Sequence, residues 1–309
     1  MNTQSNAVPE SPLESQVIAP AVMSATRPMY WSVQRELWEN RSIYIVPIAV
    51  AALVLFGFLI STIHLPAKMR AALALDPMQQ HELMGQPYDF AALLIMGTTF
   101  IVGVFYSLDA LHGERRDRSI LFWKSLPVSD LTTVLSKASI PLVVLPLLTF
   151  AITVVTQWIM LLISSTVLLG SGLSVGTLWT QLSLSQMWLM LLYHLVTVHS
   201  LWYAPIFCWL LLVSAWARRA AFLWAGLPVL AIALVEKMAF NTTHFAGMLV
   251  NRMGGGAEAV TAPGSVPMDP MTHLTPGHFL SSPGLWIGLA MAAAFLAAAV
   301  RLRRYQGPI

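Results

Sequence analysis

The sequence predicts an all-α integral membrane protein with six transmembrane helices. Three observations carry this: an apolar composition, a series of apolar runs long enough to cross a bilayer, and basic residues gathered at the ends of those runs. Hydrophobic residues make up 57% of the 309 residues and charged residues only 10%. A soluble domain carries about 25% charged residues, so this chain has too little polar surface to cover a soluble fold. Lipid removes the conflict, and most of the length goes into spans of about 20 residues each.

Residues 1–27 read as a disordered cytoplasmic tail, rich in Ser, Pro, Asn and Gln. They lack the basic start and sustained apolar core of a cleavable signal peptide. Residues 28–304 form the six-span domain, and 305–309 a short cytoplasmic tail. From Pro28 to Arg41 the spacing of Tyr30, Val33, Leu37 and Trp38 predicts one apolar helical face, with Gln34, Arg35, Glu36, Glu39 and Asn40 filling the rest. Trp31, Trp38 and Tyr44 favour the headgroup region, so this is an N-terminal interfacial amphipathic helix leading into the first span.

Span one runs from Ile43 to Ile63, followed by a mixed, polar stretch from His64 to Asp89. Span two covers Phe90–Leu108, and the most highly charged loop follows from Asp109 to Lys137. Span three lies within Ile140–Leu169, where Pro141 and Pro146 predict a kinked or interfacial start. A Gly-, Ser- and Thr-containing connection, Gly170–Ser183, leads to span four within Met187–Trp216. Arg218 and Arg219 mark a tight turn into span five, Phe222–Val235, which makes spans four and five antiparallel neighbours. An outer segment, 236–283, precedes span six at Gly284–Val300.

Placing both termini in the cytoplasm puts thirteen of the seventeen Lys and Arg residues inside, which is the orientation the positive-inside rule favours. The net charge of +3 therefore reports membrane orientation, with no nucleic-acid partner implied. The single cysteine, Cys208, excludes an intrachain disulfide. No internal repeat of fixed period is visible, which counts against an inverted-repeat carrier.

Within the loop between spans two and three, Glu114 and Arg118 stand four apart and would pair on a continuous helix. Ile120, Leu121, Phe122 and Trp123 form an apolar patch beside Lys124. Pro127 ends that segment, and Ser129-Asp130 is placed to cap the next helix. The stretch Glu114-Arg115, Ser119, Leu126-Pro127-Val128-Ser129 and Lys137 resembles the ABC type 2 permease family. There a Glu-Arg pair after the second span is followed by a Ser or Thr, a Leu-Pro-Val/Ile-Ser/Thr block and a basic residue at the next span. Arg118 departs from the pattern, since a glycine often stands at that position.

The resemblance implies the membrane-spanning subunit of a bacterial ABC exporter in the cytoplasmic (inner) membrane, multi-pass with both termini inside. It also implies short helices in the outer segment. The loop would hold a cytoplasmic coupling helix that docks on a separate ATPase, with Glu114, Arg115, Arg118, Ser119, Phe122, Trp123 and Pro127 at or beside the contact. A second copy or a paralogue would complete the translocation path within membrane lipid. The sequence contains no G-x-x-x-x-G-K-S/T, so ATP and Mg would be bound by the partner and no cofactor by this chain. No catalytic or metal constellation stands out: Met248, Met253, Met268, Met271, His244, His273 and His278 match no defined spacing. Gln157, Gln186, His194 and His199 are the polar residues of the spans, candidates for pathway contact or interhelical hydrogen bonds. On a regular helix the five-residue step between the two histidines separates them by about 140 degrees. Rival readings are a membrane scaffold, an intramembrane enzyme and an ion-coupled carrier.

Overall fold

The computed structural model describes residues 26–72, 74–125, 128–254 and 276–305. The described residues are all-helical, without a strand. Five helices are long and apolar enough to cross a membrane, and a sixth crossing results if a bent pair counts as one. Residues 1–25, the Leu126-Pro127 pair, most of the Gly-, Pro- and Met-rich outer segment and the last four residues lie outside the description, and with them the expected tails.

Helix α1 (Thr26–Glu39) lies ahead of α2 (Ser42–Ser61), and Asn40 joins them by donating its backbone N–H to the Glu36 carbonyl at 3.0 Å. Its orientation differs from the wheel expected of an interfacial helix. Tyr30, Trp31 and Trp38 face outward, whereas Glu36, read as part of the polar face, is wholly buried. Burial follows from a cation and a phenol supplied by other helices, described below.

After α2 the chain continues through a 3₁₀ turn (Thr62–His64) into α3 (Leu65–Ala72), and α4 spans Pro77–Asp109. The stretch read as mixed and polar is therefore largely helical. Met69, Ala72, Met84 and Tyr88 bury a shared apolar face against Met160, Leu161 and Leu168, so polar residues on the other side do not prevent the helix. Pro77 sits in the first turn, where its missing N–H costs no hydrogen bond.

Two short helices, α5 (His112–Arg116) and α6 (Ile120–Ser125), lead to α7 (Asp130–Ser139). A π-helical turn, Ile140–Val144, connects α7 to α8 (Leu145–Gly170). The irregularity expected at Pro141 and Pro146 is thus a widened turn holding Pro141, with Pro146 in the first turn of α8, so neither missing N–H interrupts a regular helix interior. Short α9 (Gly176–Gln181) precedes α10 (Leu184–His194).

The expected single span four is broken. A π-helical stretch, Leu195–Trp202, follows α10, and α11 (Ala204–Trp216) starts anew with Pro205 in its first turn, at 44° to the preceding segment. Helix α12 (Ala221–Phe240) follows a turn in which Ala220 adopts a left-handed conformation, φ 50°. It extends five residues beyond the expected end of span five. Helices α13 (His244–Met253), α14 (Pro276–Ser281) and α15 (Pro283–Tyr305) complete the chain.

Small residues allow the closest helix contact. Ala204 and Cys208 of α11 pack on Ala292 of α15, and Ala215 on Ala299. In an apolar solvent, close backbone approach of this kind is a main source of helix association. Gly103 of α4 serves the same end: an added Cβ there would lie 3.0 Å from the Phe207 ring. Outward positions of the long helices carry Leu53, Phe56, Phe105, Leu147, Leu230 and Ile287, all exposed. Such faces are stable only where the surroundings are themselves apolar, so the helices are compatible with a membrane-embedded protein.

Candidate functional site

One end of the bundle gathers α1, the start of α2, the α4–α7 region, the α11–α12 turn and the end of α15. The candidate site is built there, in two layers.

The inner layer is a cluster of buried charge. Lys137 of α7, 2% exposed, places its Nζ 2.8 Å from Glu36 Oε1 and 3.1 Å from Glu114 Oε1. Arg303 of α15, also buried, donates through Nη1 to Glu114 Oε2 and through Nε to Asp130 Oδ1 at 3.2 Å. Arg35 reaches Glu36 at 2.6 Å and Glu114 at 3.4 Å. Tyr106 donates its hydroxyl to Glu36 Oε2 at 2.8 Å. Three cations thus meet three carboxylates, with Glu39 at the rim 3.7 Å from Arg35. Burial alone would push the Glu36 carboxyl up, but Lys137 and Arg35 outweigh it and hold it below the ordinary range. Burial pulls the Arg35 guanidinium down, and the bond and charges of Glu36, with Glu39 and Glu114, more than restore it.

Arg115 faces the other way. Its Nη1 donates to the Ala215 carbonyl at 2.6 Å and to the Ala217 carbonyl at 3.3 Å, closing the C-terminal end of α11. In return Ser214 Oγ accepts the backbone N–H groups of Leu111 at 2.9 Å and His112 at 2.8 Å, at the start of α5. The Glu-Arg pair therefore locks the loop from both sides. Glu114 joins it to α1, α7 and α15, and Arg115 joins it to α11.

The outer layer is what this frame presents. Ile120 is buried and anchors α6, while Leu121 and Phe122 are each 60% exposed. Trp123 stacks edge-on against Phe122 at 4.9 Å, and the Arg35 guanidinium lies 3.8 Å over the Trp123 ring. The cation thus links the exposed knob to the buried charges. Ser129 caps α7 as expected, accepting the Thr132 backbone N–H at 3.0 Å.

Several expectations change. Glu114 and Arg115 are buried, so neither presents itself at a surface. Glu114 pairs with Arg303, Lys137 and Arg35, not with Arg118. The continuous helix that would have joined Glu114 to Arg118 is interrupted, because Arg118 has φ 58° and is exposed. Ser119 Oγ, half-buried, lies 3.4 Å from the Glu114 carbonyl and bridges the break. Pro127 lies outside the described residues.

Of the polar span residues, Gln157 is interhelical. Its Nε2 donates to the Tyr88 carbonyl at 3.0 Å and its Oε1 accepts from Trp188 Nε1 at 2.7 Å, joining α4, α8 and α10. Gln186 and His194 are half-buried on α10. His199 is buried beside Phe100, Tyr203 and Phe207. The stretch from Leu195 to Trp202 is π-helical, so a step of five residues is nearer one turn than regular α geometry predicts.

Sequence reasoning missed Tyr106, Asp130 as a cluster member, and Arg303, which it read only as a topology signal. A basic residue that ends a helix and a tyrosine one turn before a span's end are too common to single out without their partners.

At the far end, Glu236 of α12 accepts the backbone N–H groups of His244 at 2.7 Å and Phe245 at 2.8 Å, capping α13. Arg252 of α13 lies 4.3 Å over the Trp202 ring and donates to the Gly284 carbonyl at 3.1 Å. The described part of the outer segment is thereby fastened to the break in span four and to α15. Met268, Met271 and His273 lie outside the described residues.

Comparison with known proteins gives no relative: no family model, no curated protein and no solved structure matches the chain.

Proposed function

We propose that this chain is the membrane-spanning permease subunit of an ATP-driven ABC transporter of the type 2 permease class, working as an exporter with a separate ATPase. The observation that carries the proposal is the mounting of α6. An exposed Leu121–Phe122 knob sits on a loop whose base is fixed by charge pairs to α1 and to the third and last spanning regions. Force applied at such a knob moves several helices together, because the pairs that transmit it are buried and costly to separate. A loop serving only to set topology needs neither the knob nor the lock.

Six crossings fit this reading. Arg35 near the start and Arg303 near the end hold the same carboxylate, so both ends of the described chain lie at one end of the bundle. An even number of crossings follows when the bent α10–α11 pair counts as one. The positive-inside rule places that end in the cytoplasm, where an ATPase would dock. A second copy or a paralogue completes the path. Helix α12, with 6% of its most apolar window buried, is the least enclosed span and offers a face for it.

An ion-coupled carrier is less well supported. Such carriers hold their ion near mid-membrane with acidic or carbonyl ligands. This chain has no Asp or Glu between Asp130 and Glu236, nor between Asp89 and Asp109.

The test is purification of the chain from its own membranes with a Phe122→Asp variant in parallel. Phe122 is exposed, so the substitution leaves the bundle intact. The wild type is expected to bring down a polypeptide carrying a P-loop and nucleotide hydrolysis that follows it through the column, and the variant to lose both. A wild-type chain that purifies without any ATPase, or an ATPase held equally by Phe122→Asp, refutes the assignment.

A further inference from the structure

Beside the ion cluster, but distinct from the α6 knob, a cleft of about 680 Å³ opens between the end of α6, the start of α7 and the last turns of α15. We propose that this cleft binds the phosphate headgroup of an anionic glycerophospholipid. The inference requires only that the chain resides in a bilayer, and it holds with or without an ATPase partner.

Charge is the first argument. Four cations line the cleft, Lys124, Arg301, Arg303 and Arg304, against one carboxylate, Asp130. That carboxylate is engaged by Arg303 at 3.2 Å, so the pair cancels. Neither Arg301 nor Arg304 forms an ion pair among the described residues, and both are exposed. The Lys124 ammonium reaches to within 3.5 Å of the Arg304 carbonyl, bringing α6 and α15 together across the cleft. The excess is three positive charges in a concave space, where a phosphate monoanion or dianion gains charge-assisted hydrogen bonds.

Shape and polarity then choose among anions. A volume in the range of organic ligand sites, about 300–1,000 Å³, exceeds what a bare phosphate fills. Ser129 and Thr133 add hydroxyl groups, and part of the remaining wall is apolar. Leu131, Ala297 and Val300 line it, and the latter two continue the outward face of a helix that is apolar from Leu285 onward. A ligand with a phosphate at one end and hydrocarbon at the other satisfies both walls. Trp123 and Tyr305, residue types that favour the headgroup layer, also line the cleft. Basic pockets between spans, at the end of the bundle where cations gather, suit anionic headgroups on these grounds.

The experiment uses the full-length chain, delipidated in detergent and examined by native mass spectrometry. Phosphatidylglycerol, phosphatidylcholine and inorganic phosphate are added in separate arms. The wild type is expected to retain phosphatidylglycerol in preference to phosphatidylcholine, and millimolar inorganic phosphate is expected not to displace it. An Arg301→Gln/Arg304→Gln double variant is expected to bind phosphatidylglycerol roughly thirtyfold more weakly, since each surface cation contributes about 1 kcal/mol of attraction to an anionic lipid. A second readout needs no variant: a photoactivatable phosphatidylglycerol should crosslink to wild-type peptides containing Leu131 or Val300. Equal retention of both lipids, undiminished binding by a folded double variant, or crosslinks confined to other helices overturns the proposal. Displacement by inorganic phosphate alone replaces the lipid with a simple anion.

Discussion

Replacing Lys137 by methionine tests whether the buried charges are the structural lock described above. The substitution keeps the length and apolar stem of the side chain and removes its charge. Lys137 is 2% exposed and stands 2.8 Å and 3.1 Å from two carboxylates, so its loss leaves Glu36 and Glu114 with the partly exposed Arg35 as the cation they share. Removing one partner of a buried ion pair costs about 3–5 kcal/mol. Arg35 and Arg303 remain in contact with the two carboxylates, which puts the expected cost near the lower bound, about 3 kcal/mol. Denaturation in mixed micelles by SDS titration, followed by tryptophan fluorescence, measures it. The pH dependence supplies a second constraint. Burial raises the Glu36 carboxyl and Lys137 and Arg35 lower it further, so its folded value lies below its unfolded one. Its contribution to stability is then complete above the ordinary carboxylate range and is lost as pH falls through the depressed folded value. Without Lys137 the folded value rises and that contribution shrinks. The gap between wild type and variant should therefore be widest near neutral pH and close on acidification below about pH 4. A Glu36→Gln/Lys137→Met double variant should be less destabilised than the two single changes predict together. A Lys137→Met protein within about 0.5 kcal/mol of wild type at neutral pH, or a gap indifferent to acid, would refute the lock.

Two further outcomes follow from single positions. Arg118 holds φ 58°, a conformation that costs a residue with a Cβ about 1 kcal/mol relative to glycine, and its side chain is exposed. Arg118→Gly should accordingly raise stability by about 1 kcal/mol in the same titration, while Arg118→Ala leaves it unchanged. Gln157→Leu removes the acceptor of Trp188 Nε1 and the donor to the Tyr88 carbonyl. It should cost about 1–3 kcal/mol and shift tryptophan emission, because the buried Tyr88 carbonyl and a half-buried indole N–H lose their partner.

The sequence revealed what depends on near neighbours. Apolar runs identified the long helices, because a span needs only its own composition to be recognised. Ser129 was legible as a cap, since its partner Thr132 is three residues away. The left-handed backbone at Arg118 was not legible, because the Glu114–Arg118 spacing reads as one continuous helix. Distant partners were not legible. Glu36 belongs to the polar side of α1 by periodicity, and its burial is decided by Tyr106 and Lys137, which lie 70 and 101 residues away. Glu114 was assigned a neighbour four residues on, whereas Arg303 stands 189 residues off. The break in span four lay in plain view at Pro205, but a continuous apolar run masks a bend, because hydropathy carries no direction. Helical structure between His64 and Asp89 was hidden for the opposite reason: polar residues dominated a segment whose apolar side faces a neighbour.

Arg303 comes last in chain order among the residues of the charge cluster. Translation proceeds from the other end, so Glu36, Glu114 and Lys137 are all made long before the guanidinium that completes their arrangement. While the ribosome is still at work the cluster has a carboxylate oxygen waiting for its cation, and the loop base stays free to adjust as each later helix arrives. The final clasp closes only once the last turns of α15 have been made. A nascent chain stalled or cut short by a single turn of α15 would thus be inserted yet unfastened, and a quality-control protease could tell it from the finished protein by that looseness alone.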